Sequence, residues 1–223
     1  MQTISLIIYI RRLLIFLAVL AAATTCSMKT PATKGYDPEL LSLASPEKFS
    51  VQFETTKGNF IIIAERKFSP LAVDRFYQLI KCNYFTDIPI YRAVPNFVIQ
   101  FGTLDTVLDN AWSKHILVDE PVLKSNETGT ISFARAGVNS RGTQLFINLK
   151  NNVRLDTVTY GGVNGFPAFG IVSSGMEVIN SVFTGYNDEP RIKLNSFEGN
   201  INEMLKSEFP NLDYIKRAYI VGE

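Results

Sequence analysis

Residues Val51–Ala64, VQFETTKGNFIIIA, decide the fold class. Val51-Gln52-Phe53-Glu54-Thr55-Thr56 alternates with a period of two, the pattern of a strand with one face in a core. Lys57-Gly58-Asn59 reads as a turn, and Phe60-Ile61-Ile62-Ile63-Ala64 resumes an apolar β run, so the stretch predicts a hairpin.

Outward from this hairpin, Ser69-Pro70 introduces LAVDRFYQLIKCNYF. Ser69 suits an N-cap and Pro70 the first helical position, while Leu71, Phe76, Leu79 and Ile80 form a helical apolar stripe. Cys82, near the helix end, reads as a small buried hydrophobe; a lone thiol with no base placed beside it is poor support for a nucleophile. Short β-like runs follow at Ile90–Val94, Phe97–Phe101, Gly129–Arg135, Gln144–Leu149 and Phe166–Val172, and Tyr214–Val221 alternates again. Ser174-Gly175 leads into MEVINSVFTGY, a second helix. Many short strands with two helices predict a mainly β fold, closed or sandwiched, rather than a parallel βαβ sheet. Arg191–Arg217 carries Ile201, Met204, Leu205 and Phe209, which predicts a small helix packed beside the body; a partner surface is the alternative.

Composition narrows the classes. The 223 residues suit one domain with an appendage. With 46% hydrophobic and 19% charged residues the chain is neither disordered nor collagen-like. A net charge of +1 provides no basic field for nucleic acid, so no nucleic-acid partner is expected. Two cysteines cannot form a dense disulfide scaffold. The single histidine, His115, cannot build a zinc cluster and reads as structural, as does Trp112. GxGxxG, Walker, HExxH and GxSxG motifs are all missing from the sequence.

The N-terminus reads as an export signal over residues 1–25. Arg11 and Arg12 precede an apolar run from Leu13 to Ala23, with small residues after it. An uncleaved anchor is the alternative, although the arginine pair divides the apolar residues into pieces shorter than the roughly 18 needed for a clean span. Leu20–Cys26, LAAATTC, resembles a bacterial lipoprotein box, with Ala23 and Thr25 as departures from it. Acylation at Cys26 would then anchor the mature chain to a membrane. Losing residues 1–25 removes two arginines and no acid, taking the net charge from +1 to −1. Residues 26–50 mix Ser, Thr, Pro and Gly with scattered charge and read as a flexible tether, with one short helical turn at DPELLSL.

Three blocks identify the body, residues 51–223, as resembling the cyclophilin family of peptidyl-prolyl cis-trans isomerases: YRAVPNFVIQFG at Tyr91–Gly102, GTISFARAGVNSRGTQLFINL at Gly129–Leu149 and PAFGIVSSGMEVINSV at Pro167–Val182. The resemblance implies a closed eight-stranded antiparallel barrel capped by two helices. It also implies accelerated rotation about X–Pro bonds, with proline-containing polypeptides as partners and neither metal nor other cofactor. The expected form is a monomer facing the periplasm of a bacterial cell envelope, its clients being exported proteins. A proline-peptide binding module and a structural envelope lipoprotein, each with little catalysis, are the alternatives.

The same resemblance implies the site. Arg92 is the main catalytic residue. Amide rotation carries a barrier of about 18–20 kcal/mol, and at the twisted transition state the prolyl nitrogen gains a lone pair that a guanidinium donor favours over the planar amide. Gln100 matches a glutamine that faces the substrate backbone and helps place the arginine. Gln144 matches another near the groove, with a strand-end role as its alternative. Phe97, Val98, Phe146 and Leu155 match the apolar proline pocket. Ala134 and Arg135 match a backbone stretch that ligands pair with, and Arg135 stands where asparagine is common. Phe166 takes the approximate place of a pocket histidine, keeping an apolar wall. Arg154 stands where animal relatives often have tryptophan, which implies weak cyclosporin binding. Thr157–Gly165 lengthens a loop beside the groove, from which Tyr160 reaches either the groove or solvent.

Overall fold

A computed structural model describes residues 34–103 and 105–223. The expected signal segment 1–25 and the expected acylation site Cys26 lie outside the described residues.

The predicted hairpin is β1 (Lys48–Thr55) and β2 (Asn59–Glu65), closed by the Thr55 amide and hydroxyl, which both donate to the Gly58 carbonyl at 2.9 and 2.7 Å. Its alternation is realised: Phe49, Val51, Phe53, Phe60, Ile62 and Ala64 are all buried. Phe53 faces Phe60 across the ladder with ring centroids 4.9 Å apart, and Phe76, Phe85 and Phe101 lie within 6.3 Å of the Phe53 ring. This aromatic cluster centres the core, adding ring geometry to plain burial of apolar area.

The remaining strands are β3 (Ile88–Pro89), β4 (Arg92–Val94), β5 (Val98–Phe101), β6 (Thr130–Phe133), β7 (Leu145–Asn148), β8 (Thr159–Tyr160), β9 (Val163–Asn164), β10 (Ala168–Ser174) and β11 (Tyr214–Gly222). Nine of them form one antiparallel sheet in the order β3-β11-β1-β2-β10-β6-β7-β5-β4, and β8 and β9 pair separately. Among the described residues the helices are α1 (Pro70–Lys81), α2 (Thr106–Ser113), α3 (Met176–Asn180), α4 (Glu189–Leu194) and α5 (Ile201–Glu208).

The expected closed eight-stranded barrel with two helices is therefore corrected to an open, strongly curled nine-stranded sheet with five α-helices among the described residues. The ninth strand, β3, is two residues long and contains Pro89, so no periodicity announces it. The two edge strands, β3 and β4, are consecutive on the chain and no ladder pairs them. Between them the Ile90 amide donates to the Asp213 carbonyl at 2.9 Å, one step further along the β3–β11 register. The second predicted helix is cut to Met176–Asn180, and the strand expected over Phe166–Val172 starts later, at Ala168.

Helix α1 forms where expected and packs Ala72, Val73, Phe76, Leu79 and Ile80 inward. Its cap differs from expectation. Ser69 sits at the N-cap, and its carbonyl accepts from the Val73 amide at 3.0 Å, but its hydroxyl accepts no capping hydrogen bond. Glu120 does so instead, accepting from the amides of Leu71 (2.8 Å) and Ala72 (3.2 Å) and from the Ser69 hydroxyl (2.5 Å). Arg141, 1% exposed at its side chain, pairs with Glu120 at 3.0 Å. A carboxylate at a helix N-terminus satisfies orphan amides and opposes the dipole. Residues 34–47, within the segment expected to be a tether, pack on the body: Tyr36 is buried and Gln78 Nε2 donates to the carbonyls of Leu41 and Leu43 at 3.0 and 2.9 Å. Glu120→Ala leaves the buried Arg141 guanidinium with the more distant Asp119 at 3.9 Å and neutral partners such as the Val118 carbonyl, and uncaps α1 as well, so urea unfolding is expected to register a loss of about 3 kcal/mol.

Candidate functional site

The site is built on β5, β7 and β6, which lie side by side with Gln100 opposite Phe146 and Phe146 opposite Ser132. Alternation sends Ile99, Phe101, Leu145, Ile147, Ile131 and Phe133 into the main core. Their neighbours along each strand therefore share the opposite face. There Val98, Phe146 and Leu155 form a separate apolar cluster, with Phe97, Ala134 and Phe166 partly buried against it. Phe97, Val98, Phe146 and Leu155 were expected at the proline pocket, Phe166 at its wall and Ala134 on a backbone stretch that ligands pair with, and the structure brings the six together. Gly102 ends β5 with φ +103, and a Cβ there would collide with the Thr143 carbonyl oxygen, so only glycine lets β5 and β7 approach this closely at the turn.

Arg92 lies beside this cluster on edge strand β4, directly opposite Gln100. Its Nη1 donates to Gln100 Oε1 at 3.3 Å, and its guanidinium carbon stands 5.3 Å from the centre of the Phe97 ring. Gln100 Nε2 in turn donates to Gln144 Oε1 at 3.2 Å, and the Tyr91 hydroxyl donates to the same oxygen at 2.8 Å. Burial pushes the Tyr91 phenol far up, so it remains a donor. Gln144 is thus oriented by two donors as well as placed near the groove. On its far side Arg92 donates from Nε to Asp188 Oδ1 at 2.5 Å, and Arg191 Nε reaches the same oxygen at 2.9 Å. Partial burial works against the Asp188 carboxylate, but hydrogen bonds from Arg191 and Arg92 outweigh it and hold that carboxyl below the usual range.

Arg135, whose backbone was expected to pair with ligand, turns its side chain to the β8–β9 hairpin. It is 7% exposed and donates to the carbonyls of Tyr160 (2.6 Å), Val163 (3.0 Å) and Gly165. Its guanidinium lies 4.3 Å from the centre of the Phe166 ring. The side chain thus folds the β8–β9 hairpin against the pocket wall. Burial lowers its pKa, which for a guanidinium still leaves the cation. Phe166 meets Phe146 edge-on at 5.8 Å, and Tyr160 stands 6.2 Å from Phe166, half-exposed on the groove side of the hairpin. Arg154 covers Phe97 from outside at 5.1 Å.

Sequence reasoning missed two groups. Asp188 lies 96 positions from Arg92, and no local spacing links them. The second is a buried polar network beneath the pocket. Asn152 Nδ2 donates to the Phe97 carbonyl at 2.9 Å and to Asn148 Oδ1 at 2.8 Å; Asn126 Nδ2 donates to the Phe166 carbonyl at 2.8 Å and to Asp156 Oδ1 at 2.7 Å. Asn148 Nδ2 and the Ser132 hydroxyl converge on Asn126 Oδ1 at 3.1 and 3.2 Å. The network pins the backbone of two pocket phenylalanines. Its one visible signal was Asn148 inside the apolar run FINL, since a polar side chain in a buried strand needs partners.

Other candidate groups lie elsewhere. His115 Nε2 and the Tyr36 hydroxyl share a hydrogen bond of 2.7 Å, Trp112 donates to the Gly35 carbonyl at 2.8 Å, and burial pushes the Cys82 thiol up to about 11. Among the described residues no three His, Cys, Asp or Glu side chains gather to hold a metal ion, and no helix is long and apolar enough to cross a membrane. A polar cleft of about 490 Å³, lined by Thr103, Asn110, Gln144, Leu194, Phe197 and Glu198 among others, adjoins the site at Gln144. None of the residues lining it belongs to the apolar cluster of Val98, Phe146 and Leu155. Arg135→Ala is expected to speed amide hydrogen exchange across Tyr160–Gly165 by at least about tenfold while leaving exchange in β5 and β7 unchanged.

Residues 50–198 match the family described as cyclophilin type peptidyl-prolyl cis-trans isomerase/CLD. Curated relatives include the peptidyl-prolyl cis-trans isomerase CYP65 of Arabidopsis thaliana, 32% identical over 150 residues, which are 63% of this chain and 25% of that protein. A peptidyl-prolyl cis-trans isomerase-like 1 protein of Gibberella zeae is 28% identical over 63% of this chain and 87% of its own. A peptidyl-prolyl cis-trans isomerase of Acinetobacter baylyi is 28% identical over 64% and 76%. Among solved structures, a cyclophilin type peptidyl-prolyl cis-trans isomerase of Cryptosporidium parvum aligns with a TM-score of 0.56 at 18% identity, covering 79% of this chain and 99% of that one. At that identity the likeness concerns the fold.

Proposed function

The chain belongs to the cyclophilin type peptidyl-prolyl cis-trans isomerase family, and we infer that it interconverts cis and trans X–Pro bonds with Arg92 as the reacting donor. The observation that carries this reading is the Arg92 guanidinium over the rim of an apolar pocket made by Phe97, Val98, Phe146, Leu155 and Phe166. A proline ring held in that pocket loses its freedom to follow the preceding carbonyl, so rotation concentrates in the C–N bond. As the bond twists, conjugation is lost and the nitrogen lone pair becomes an acceptor. A cationic donor fixed beforehand stabilises that nitrogen more than it stabilises the planar amide. A 10⁵-fold acceleration asks for only about 7 kcal/mol of such selective stabilisation. Gln100 holds one corner of the guanidinium and, with Gln144, offers polar groups to the substrate backbone. The pocket contacts the ring, so it selects proline while leaving the residue before it weakly specified.

Location rests on the N-terminal sequence. An arginine pair, an apolar run and LAAATTC ending at Cys26 support export, cleavage after residue 25 and acylation of Cys26 in a bacterial envelope. The clients are then exposed X–Pro segments of other exported proteins, and the isomerase works as a monomer held to the membrane face.

Arg92→Ala should lower kcat/KM for an X–Pro peptide by about 10²–10³, the scale for losing a principal transition-state donor. Arg92→Lys, which keeps the charge without the planar fork, should fall between. Full activity in Arg92→Ala would reject the mechanism, while lost turnover with unchanged peptide affinity is the expected pattern. Intact-mass measurement of the mature chain is expected to show residues 1–25 removed and acyl chains on Cys26; an unmodified N-terminus would reject the anchor.

A further inference from the structure

We propose that Asp188 is a positioning residue for the isomerase reaction, holding the Arg92 guanidinium in the orientation from which it meets the prolyl nitrogen. This rests on the reading of Arg92 given above. Three contacts fix that side chain: Asp188 Oδ1 on Nε at 2.5 Å, Gln100 Oε1 on Nη1 at 3.3 Å, and the Phe97 ring beneath it at 5.3 Å. An arginine has five N–H donors. One goes to Asp188 and one to Gln100, which leaves three on the fork for substrate.

Asp188 is itself held in place. The Ala93 amide, next to Arg92 on β4, donates to the Asn187 carbonyl at 3.4 Å, so the backbone carrying Asp188 is tied to the edge strand beside the arginine. Asn187 has φ +50 and donates from its amide to the Thr184 carbonyl at 3.0 Å, a turn that aims the next residue back at the strand. Arg191, three residues on, takes the same carboxylate oxygen at 2.9 Å. Asp188 stands at the N-cap of α4 but makes no capping hydrogen bond, so its carboxylate serves the arginines rather than the helix. Side-chain exposures of 18% for Arg92 and 38% for Asp188 place the pair at the groove rim, partly shielded from solvent.

A neighbouring carboxylate has two opposed effects. It lowers the positive potential at the substrate nitrogen, and it removes the rotamer freedom that a long side chain otherwise loses on reaching the transition state. Orientation wins here, because the bond goes to Nε, the donor nearest the stem, while both Nη groups keep N–H bonds directed away from Asp188. The carboxylate therefore acts as a hinge pin, and the catalytic edge of the fork stays open.

The test is a double-mutant cycle on the full chain with an X–Pro peptide. Asp188→Ala is expected to lower kcat by about tenfold with KM changed less than twofold, and Asp188→Glu to recover part of it. In an Arg92→Ala background the same Asp188 substitution should change nothing further, since there is no guanidinium left to orient. Asp188→Asn, which keeps the shape and the acceptor oxygen for Nε, separates orientation from folding: it should unfold at the parent temperature and retain more kcat than Asp188→Ala, and a loss as large as that of Asp188→Ala overturns the hinge. Unchanged or increased kcat in Asp188→Ala, or an equal loss with and without Arg92, overturns the role of Asp188 alone. Full activity in Arg92→Ala overturns the reading of Arg92 and this one with it.

Discussion

A strand sends successive side chains to opposite faces, and the groove exists because β5, β7 and β6 use both faces for apolar burial. An antiparallel sheet with one face in the core ordinarily turns polar side chains outward. Here Val98 and Phe146 face outward and are nonetheless only 2% and 5% exposed. They are covered by chain that crosses the outer face: the turn carrying Leu155, then Phe166 after the β8–β9 hairpin. A second small core outside the sheet is thereby created, and a pocket at its edge follows. Changing the register of β5 by one residue would put Gln100 in the main core and Ile99 in the groove. Strand pairing thus fixes the site before any individual side chain does.

The buried amides give that outer core its rigidity. Asn152 and Asn126 bind the carbonyls of Phe97 and Phe166, the two pocket rings that sit on irregular chain rather than on strands. The Phe97 carbonyl also accepts from the Leu149 amide at 2.9 Å, whereas the Phe166 carbonyl depends on Asn126, whose loss would cost about 1–3 kcal/mol. The network also makes the pocket a fixed shape, which suits a reaction in which one half of an amide must be held while the other turns. Arg135 extends the same logic to the rim. Arg135, whose backbone the resemblance places along bound peptide, commits its side chain to three carbonyls of the neighbouring hairpin and braces the Phe166 wall.

What was legible in the sequence follows the range of the interaction. The β1–β2 hairpin and α1 rest on local periodicity, and both formed over the expected residues. Phe97, Val98, Ala134 and Phe146 were legible through the joint motif blocks, and Leu155 and Phe166 only through the looser resemblance between those blocks, since each alone reads as core. Long-range pairings left no local trace: Glu120 taking the cap that Ser69 seemed suited for, Asp188 on Arg92, and the asparagine network. The count and closure of the sheet differ from the expectation because β3 is too short to show a period, and because no local pattern tells whether two edge strands pair. Residues 191–217 supplied helices as their apolar residues implied, but their relation to the groove was invisible until Tyr91 was seen among them.

Tyr91 and Arg92 show why the open edge and the catalytic geometry belong together. They are adjacent, so alternation points them apart. Tyr91 packs with Ile201, Met204, Leu205 and Phe209 from the C-terminal segment, while Arg92 reaches the groove. An unpaired sheet edge exposes backbone donors and invites wrong pairing. Here the segment following α3 covers it, with the Asn187 carbonyl accepting from Ala93. That cover reaches both sides of the reacting side chain, since the Tyr91 hydroxyl orients Gln144 and Asp188 holds Arg92. In a fully laddered barrel β4 would spend its edge on strand pairing. Left open, the same edge accepts a covering segment from far along the chain, and that segment brings the carboxylate which the local sequence around Arg92 does not supply.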